Sequence, residues 1–167
     1  KNGAKSYTSA HRLAVFAARS FQNKRDLSVF LKENLHHLTR ENKTNILFNA
    51  GCFNLVLEEF ESGGENNPQD LLLAAKAQMH FKKWEKAQKY LDLIPANSEN
   101  YQEAQILKYF CLCLKDQSSE QKLLKPDFSI RAVINTNPEI IYQLLLFDKE
   151  RTLSICKNIL NSSADLN

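Results

Sequence analysis

Between Asn67 and Leu114 apolar residues recur at steps of three and four with two polar interruptions, which predicts three successive helices. Asn67 is placed to cap the first, Pro68 to fill its first turn where a missing N–H costs nothing, and Asp70 to meet the positive end of the helix dipole. Leu71, Ala74, Ala75, Gln78 and Phe81 follow at helical spacing, and Ala74, Ala75 and Ala77 leave a face shallow enough for another helix to lie close. Lys82 and Lys83 break the pattern. Trp84, Ala87, Leu91 and Ile94 resume it, so a short antiparallel helix is expected to drop Ala87 against the alanines and to stop at Pro95. Asn97 or Ser98 then caps a third helix with Tyr101, Ala104, Leu107, Cys111 and Leu114 as its buried stripe.

Upstream, residues 1–7 read as a loose basic arm, and Thr8 or Ser9 opens a helix with Leu13, Ala14, Ala17 and Phe21 on its inner face. Asp26 opens a second, carrying Leu27, Phe30, Leu31, Leu35 and Leu38. These two echo the central pair at an offset of 60, matching Leu13 with Leu73, Ala14 with Ala74, Ala17 with Ala77, Phe21 with Phe81, Leu27 with Ala87 and Leu31 with Leu91. One helix is predicted between the pairs, from about Lys43 to Glu61, with Gly51 admitting a close neighbour and Gly63-Gly64 ending it. Glu58, Glu59, Glu61 and Glu65 make the following loop a local acidic patch. Downstream, Asp127 or Ser129 begins a short helix and Asn137-Pro138 another, whose Ile140, Ile141, Leu144, Leu145 and Phe147 are apolar nearly all round, as in a central helix. Leu153, Cys156, Ile159 and Leu160 give a last amphipathic helix with Lys149, Glu150, Lys157 and Asn158 outward, before a frayed tail at 162–167.

The order helix, tight turn, helix, proline, helix resembles a tetratricopeptide repeat. Leu71, Ala74 and Ala75 correspond to that family's bulky–small–small face, Trp84 to its turn aromatic, Ala87 to its small second-helix residue, and Leu91 and Pro95 to its second helix and stop. A further copy begins near Ala104, 33 residues after Leu71 and close to the family period of about 34. The chain departs from the pattern at Ala75 and Lys82, where the family has glycine, at Gln78, where it has tyrosine, and at Pro95, which comes early. The resemblance covers about 68–115. It implies an all-α fold of about eight to ten helices, antiparallel hairpins stacked as an α-solenoid, in one domain spanning 1–167.

Composition agrees with an all-α soluble chain: 43% hydrophobic and 25% charged residues, four glycines and four prolines in 167 residues. The net charge of +3 is too small to imply nucleic acid, although the first 43 residues hold nine Lys/Arg against three Asp/Glu. Cys52, Cys111, Cys113 and Cys156 are scattered, and reduced thiols in a cytoplasmic setting are the expectation. No apolar run approaches the roughly 18 residues of a membrane span. The chain starts at Lys1 without a signal-like segment, which reads as a processed product or excised fragment.

Catalytic chemistry has little to stand on. His36 and His37 with Glu33 and Glu41 give two four-residue spacings on one helix, yet no HExxH motif accompanies them, and the cysteines fall on apolar stripes where they act as small hydrophobes. No phosphate loop, nucleophile elbow or paired-carboxylate motif occurs, so neither enzyme activity, a cofactor nor a metal is expected. The resemblance implies a protein-interaction module, an adaptor, co-chaperone or scaffold piece, holding a peptide or partner helix on the concave face lined by first helices. Its outward positions are expected to be Lys76, Gln78, Met79, Lys82, Gln105, Lys108 and Tyr109, which suit an acidic or carboxylate-bearing partner. A structural subunit of a larger helical assembly, using the Ile140–Phe147 helix, is the alternative. Nucleic-acid binding through Arg12, Arg19, Lys24, Arg25, Arg40 and Lys43 ranks third.

Overall fold

A computed structural model describes residues 2–63, 67–115 and 138–161, and among these every regular element is an α-helix. The helices are α1 (Asn2–Ser20), α2 (Lys24–Leu35), α3 (Arg40–Asn49), α4 (Phe53–Glu61), α5 (Pro68–His80), α6 (Trp84–Asp92), α7 (Tyr101–Lys115), α8 (Pro138–Phe147) and α9 (Lys149–Asn161). The helix expected from Asp127 or Ser129 and the tail at 162–167 lie outside the described residues. Two compact units are distinguished, Lys1–Ala77 and Gln78–Asn167, with the division inside α5.

In the first unit α1 packs on α2 and α3, and α3 packs on α4. Its core joins Ala10, Ala14 and Ala17 of α1 to Leu27, Leu31 and Leu35 of α2, Ile46 and Leu47 of α3, and Leu55 and Val56 of α4. Helix α1 starts at Asn2, so residues 2–7 belong to it rather than to a loose arm: no proline interrupts them, and Thr8 and Ser9 are exposed mid-helix positions rather than caps. Helix α2 is capped by Asn23, whose side chain accepts from the Arg25 N–H at 2.9 Å, three residues ahead of the expected Asp26.

The single helix predicted for 43–61 is two helices, and Gly51 is the cause. It adopts φ +73°, its N–H donates to the Phe48 carbonyl, and the Cys52 N–H donates to the Leu47 carbonyl. That pair of bonds is a Schellman cap, which satisfies the last carbonyls of α3 and turns the chain into α4. A glycine read as a packing residue is a helix terminator.

In the second unit α6 lies along α7, and α9 packs on α8 and α7. Ala87 and Leu91 of α6 are buried, as are Ala104, Ile106, Leu107, Tyr109, Phe110, Cys111, Cys113 and Leu114 of α7. Helix α7 begins after Asn100, two or three residues past the expected caps, while Ser98 Oγ accepts from the Asn100 N–H at 3.1 Å. Asp148 caps α9 by accepting from the Arg151 N–H at 3.1 Å, and Arg151 Nη2 donates to the Cys113 carbonyl at 2.7 Å, closing the C-terminal end of α7. Helix α8 is not buried all round: Leu144 is enclosed, but Tyr142 and Leu146, one turn apart, are 66% and 69% exposed. On α9 the enclosed positions are Thr152 and Ile155, whereas Leu153 is 42% exposed, so the stripe is rotated from the expected Leu153–Cys156 line.

The offset of 60 is a property of the helices themselves. Helix α1 ends at 20 and α2 starts at 24; α5 ends at 80 and α6 starts at 84. Ala14, Ala74, Ala17, Ala77, Leu31 and Leu91 are all buried. The intervening segment is a pair of short helices, not the single helix predicted.

Candidate partner-binding surface

Helix α5 starts as its sequence dictates, with Asn67 Oδ1 accepting from the Asp70 N–H at 2.8 Å. From Leu71 to Met79 every residue is buried, so α5 has no solvent face for nine consecutive positions. This corrects the outward placement of three expected binding residues. Met79 is fully enclosed, Gln78 is buried with Oε1 lacking a hydrogen-bond partner among the described residues, and the Lys76 ammonium lies 5.9 Å from the centroid of the Phe48 ring. Tyr109 of α7 is also buried, its ring edge-on to Phe110 at 5.8 Å. Periodicity marks one apolar stripe, but a helix with neighbours on several sides buries its polar positions too, using aliphatic stems and ring faces to do so. Of the seven expected residues, Lys82 is exposed and Gln105 and Lys108 are half-buried.

Lys82 occupies an unusual place. Its φ is +57°, its N–H donates to the Met79 carbonyl at 2.9 Å, and the Lys83 N–H donates to the Gln78 carbonyl at 3.0 Å. Lys82 therefore holds the left-handed position of a Schellman cap, where a glycine is free of Cβ strain.

Helix α6 separates its two faces sharply. Trp84 is half-buried and Ala87, Leu91 and Ile94 are buried on one side, while Lys86, Lys89 and Leu93, at steps of three and four, are exposed on the other, and Lys82 is exposed in the turn that precedes the helix. The acidic residues between the faces are committed to α7: Glu85 pairs with Lys115 at 3.3 Å and Asp92 pairs with Lys108. Glu85 is held below its ordinary carboxylate range by its own backbone N–H in the first turn and by Lys115. Among the described residues Lys82, Lys86 and Lys89 form no ion pair, although the Lys89 charge also helps to lower the Glu85 carboxyl one turn away, so the outer side of α6 carries a surplus of positive charge that ends in an exposed leucine.

A second polar cluster, missed from sequence, is structural. Arg40 at the start of α3 donates from Nη1 to the Gly63 carbonyl at 3.0 Å and from Nη2 to the Phe60 carbonyl at 3.2 Å, and its Nε lies 3.7 Å from Asp70 Oδ2. One guanidinium thus closes the C-terminal end of α4 and meets the first turn of α5. Burial raises the Asp70 carboxyl above its ordinary range, against the lowering influence of Arg40. Lys43 pairs with Glu59 and Lys32 with Glu58 at 2.6 Å, so half of the predicted acidic patch is engaged internally. Arg40 and Lys43 are correspondingly withdrawn from the basic set considered for nucleic acid. His36 turns Nδ1 to the Glu33 carbonyl of its own helix, and no group of three or more potential metal ligands occurs among the described residues. No described helix is long and apolar enough to cross a membrane.

Comparison with protein-family models, curated proteins and solved structures finds no match.

Proposed function

We propose that the chain is a protein–protein interaction module, an adaptor, co-chaperone or scaffold piece built from tetratricopeptide-like hairpins, and that it takes an acidic peptide or partner helix along α6. The observation that carries this reading is the surplus of positive charge at the exposed Lys82, Lys86 and Lys89, which form no ion pair among the described residues while Glu85 and Asp92 beside them are both paired with α7. An extended acidic segment laid along this face meets three ammonium groups and the Leu93 side chain without displacing any core residue. The hairpin-repeat component is supported by the glycine-like backbone at Lys82 and by the 60-residue register of α1–α2 and α5–α6. The docking surface moves from the first-helix positions Lys76, Gln78, Met79 and Tyr109 to the outer face of α6, with Lys82 common to both.

Calorimetric titration with a glutamate-rich peptide tests it. Lys86→Glu with Lys89→Glu is expected to weaken binding by about tenfold or more while leaving Tm unchanged, because both side chains are exposed. Undiminished binding by the reversed variant removes α6 as the surface.

The alternative, a subunit of a larger helical assembly, is favoured by a separate observation: Tyr142 and Leu146 on α8 and Leu153 on α9 are exposed apolar side chains. Sedimentation across a concentration series distinguishes it, since self-assembly through these residues is abolished by Tyr142→Ser with Leu146→Ser.

A further inference from the structure

Helix α1 is packed the wrong way round for its size pattern. Its core face consists of Ala10, Ala14 and Ala17, 6% exposed or less, while the larger Leu13 and Phe16 are 37% and 69% exposed. The first unit thus leaves Phe16 largely, and Leu13 partly, in contact with water, where burial against a partner would be favourable. Arg12 and Arg19 flank them, at four residues before and three after Phe16, and both are exposed. Helix α1 contains no aspartate or glutamate, and among the described residues neither arginine has an ion-pair partner. The outer face is an aromatic–aliphatic spot with a guanidinium at either end, spanning about 10 Å at the α-helical rise.

We infer that this face docks an acidic amphipathic helix of another protein, with Leu13 and Phe16 entering its apolar stripe and Arg12 and Arg19 pairing with carboxylates on its flanks. The span is two turns, the repeat over which a partner helix presents apolar residues at positions i, i+3 or i+4, and i+7. Arginine suits this role because its planar fork meets carboxylates in bidentate fashion while its stem lies along apolar surface. A membrane surface fits less well: a helix lying in lipid needs a continuous bulky apolar face, and the remaining inward positions of α1 are alanines already in the core. Nucleic acid also fits less well, since Arg40 and Lys43 are engaged by Asp70 and Glu59. This surface is distinct from the α6 row and does not depend on it.

The test uses the full chain and a fluorescent synthetic helix with leucines at steps of three and four and glutamates on both flanks. Companion probes are a scrambled peptide of the same composition, phosphatidylserine vesicles and a single-stranded oligonucleotide. Binding of the patterned peptide, but not of the scrambled one, is expected, and Phe16→Ser or the pair Arg12→Glu with Arg19→Glu should each weaken it by about tenfold or more at unchanged Tm. The variant Lys86→Glu with Lys89→Glu should bind this probe normally, which separates the two surfaces. The proposal is overturned by equal binding of the scrambled peptide, by full affinity of Phe16→Ser, by binding of vesicles or oligonucleotide in place of the peptide, or by a fall in Tm that marks Phe16 and the arginines as structural.

Discussion

Replacing Arg40 with alanine removes several contacts at once, three of which dominate the cost. Two are hydrogen bonds from a charged donor to carbonyls at the end of α4, each worth about 1.5–3 kcal/mol where fully formed and enclosed. The third is the approach to Asp70, a carboxylate that is 2% exposed and otherwise held by nothing at Oδ1 among the described residues. Breaking a buried pair costs about 3–5 kcal/mol, but two features lower that figure here. The Arg40 side chain is 23% exposed, so solvent screens part of its interaction, and Asp70 can take up a proton rather than remain an isolated charge. The expected loss for Arg40→Ala near neutral pH is therefore about 2–4 kcal/mol, well above the 0–1 kcal/mol of a surface pair such as Lys32 with Glu58. The pH dependence has a definite sign. Because the folded Asp70 carboxyl lies above its unfolded value, its contribution is fully present below the unfolded pKa and is lost as pH rises through the folded pKa. Removing Arg40 raises that carboxyl further, so the deficit of the variant shrinks on acidification. Denaturant midpoints at neutral and mildly acidic pH, for Arg40→Ala, Lys32→Ala and the cycle with Asp70→Asn, measure this. Equal small shifts for Arg40→Ala and Lys32→Ala, or a deficit that grows on acidification, refute the argument.

Ala87→Leu should overpack the α6 contact and lower stability by about 1–3 kcal/mol, while the exposed Lys86→Ala on the same helix stays nearly silent; denaturant midpoints compare them. Lys82→Gly should relieve the left-handed strain at φ +57° and stabilise by up to about 1 kcal/mol, part of which is offset by the entropy glycine loses on folding. Lys82→Ala keeps the strain and should show no such gain in the same thermal melts, so equal melting of the two variants would mean the turn is not held as described. Burial pushes the Cys111 thiol up to about 12, so it should resist a thiol-reactive disulfide at mildly alkaline pH until the protein is unfolded; rapid modification in the native state would contradict its enclosure.

The segments with strong punctuation were legible in the sequence. Asn67-Pro68 and the turn at Lys82-Lys83 place the ends of α5, and Pro138 the start of α8, because a cap or a proline acts locally, whatever the rest of the chain does. Faces were less legible. Periodicity identified Ala74, Ala77, Ala87 and Leu91 as buried, but it cannot register neighbours on other sides of α5, and so misplaced Lys76, Gln78 and Met79. On α1 the apolar count put Leu13 inward, whereas close approach to α2 and α3 selects the alanine face and turns Leu13 out. Gly51 shows a different limit. Its neighbours Ile46, Leu47, Phe53 and Leu57 keep helical spacing across the break, and only the backbone bonds of the Schellman cap reveal that the helix ends there.

Charge has the same two levels. A net of +3 over the chain implies almost nothing about partners when charges are counted. Pairing changes the count that solvent sees: Glu58, Glu59, Asp70, Glu85 and Asp92 are each matched with a basic side chain in their own unit. The lysines and arginines that do this matching are those near helix ends and helix–helix seams, where the ion pair also ties two elements together. The surplus consequently falls on outer positions, Lys86 and Lys89 on α6 and Arg12 and Arg19 on α1, where among the described residues no neighbouring helix supplies a carboxylate within ion-pair distance. On the proposed docking at these two faces, their positive charge would attract an acidic partner over a distance set by the Debye length, about 8 Å at physiological ionic strength. Association at either face should therefore slow with added salt more than dissociation quickens, because screening weakens the encounter while the close contacts of Leu93 or Phe16 persist.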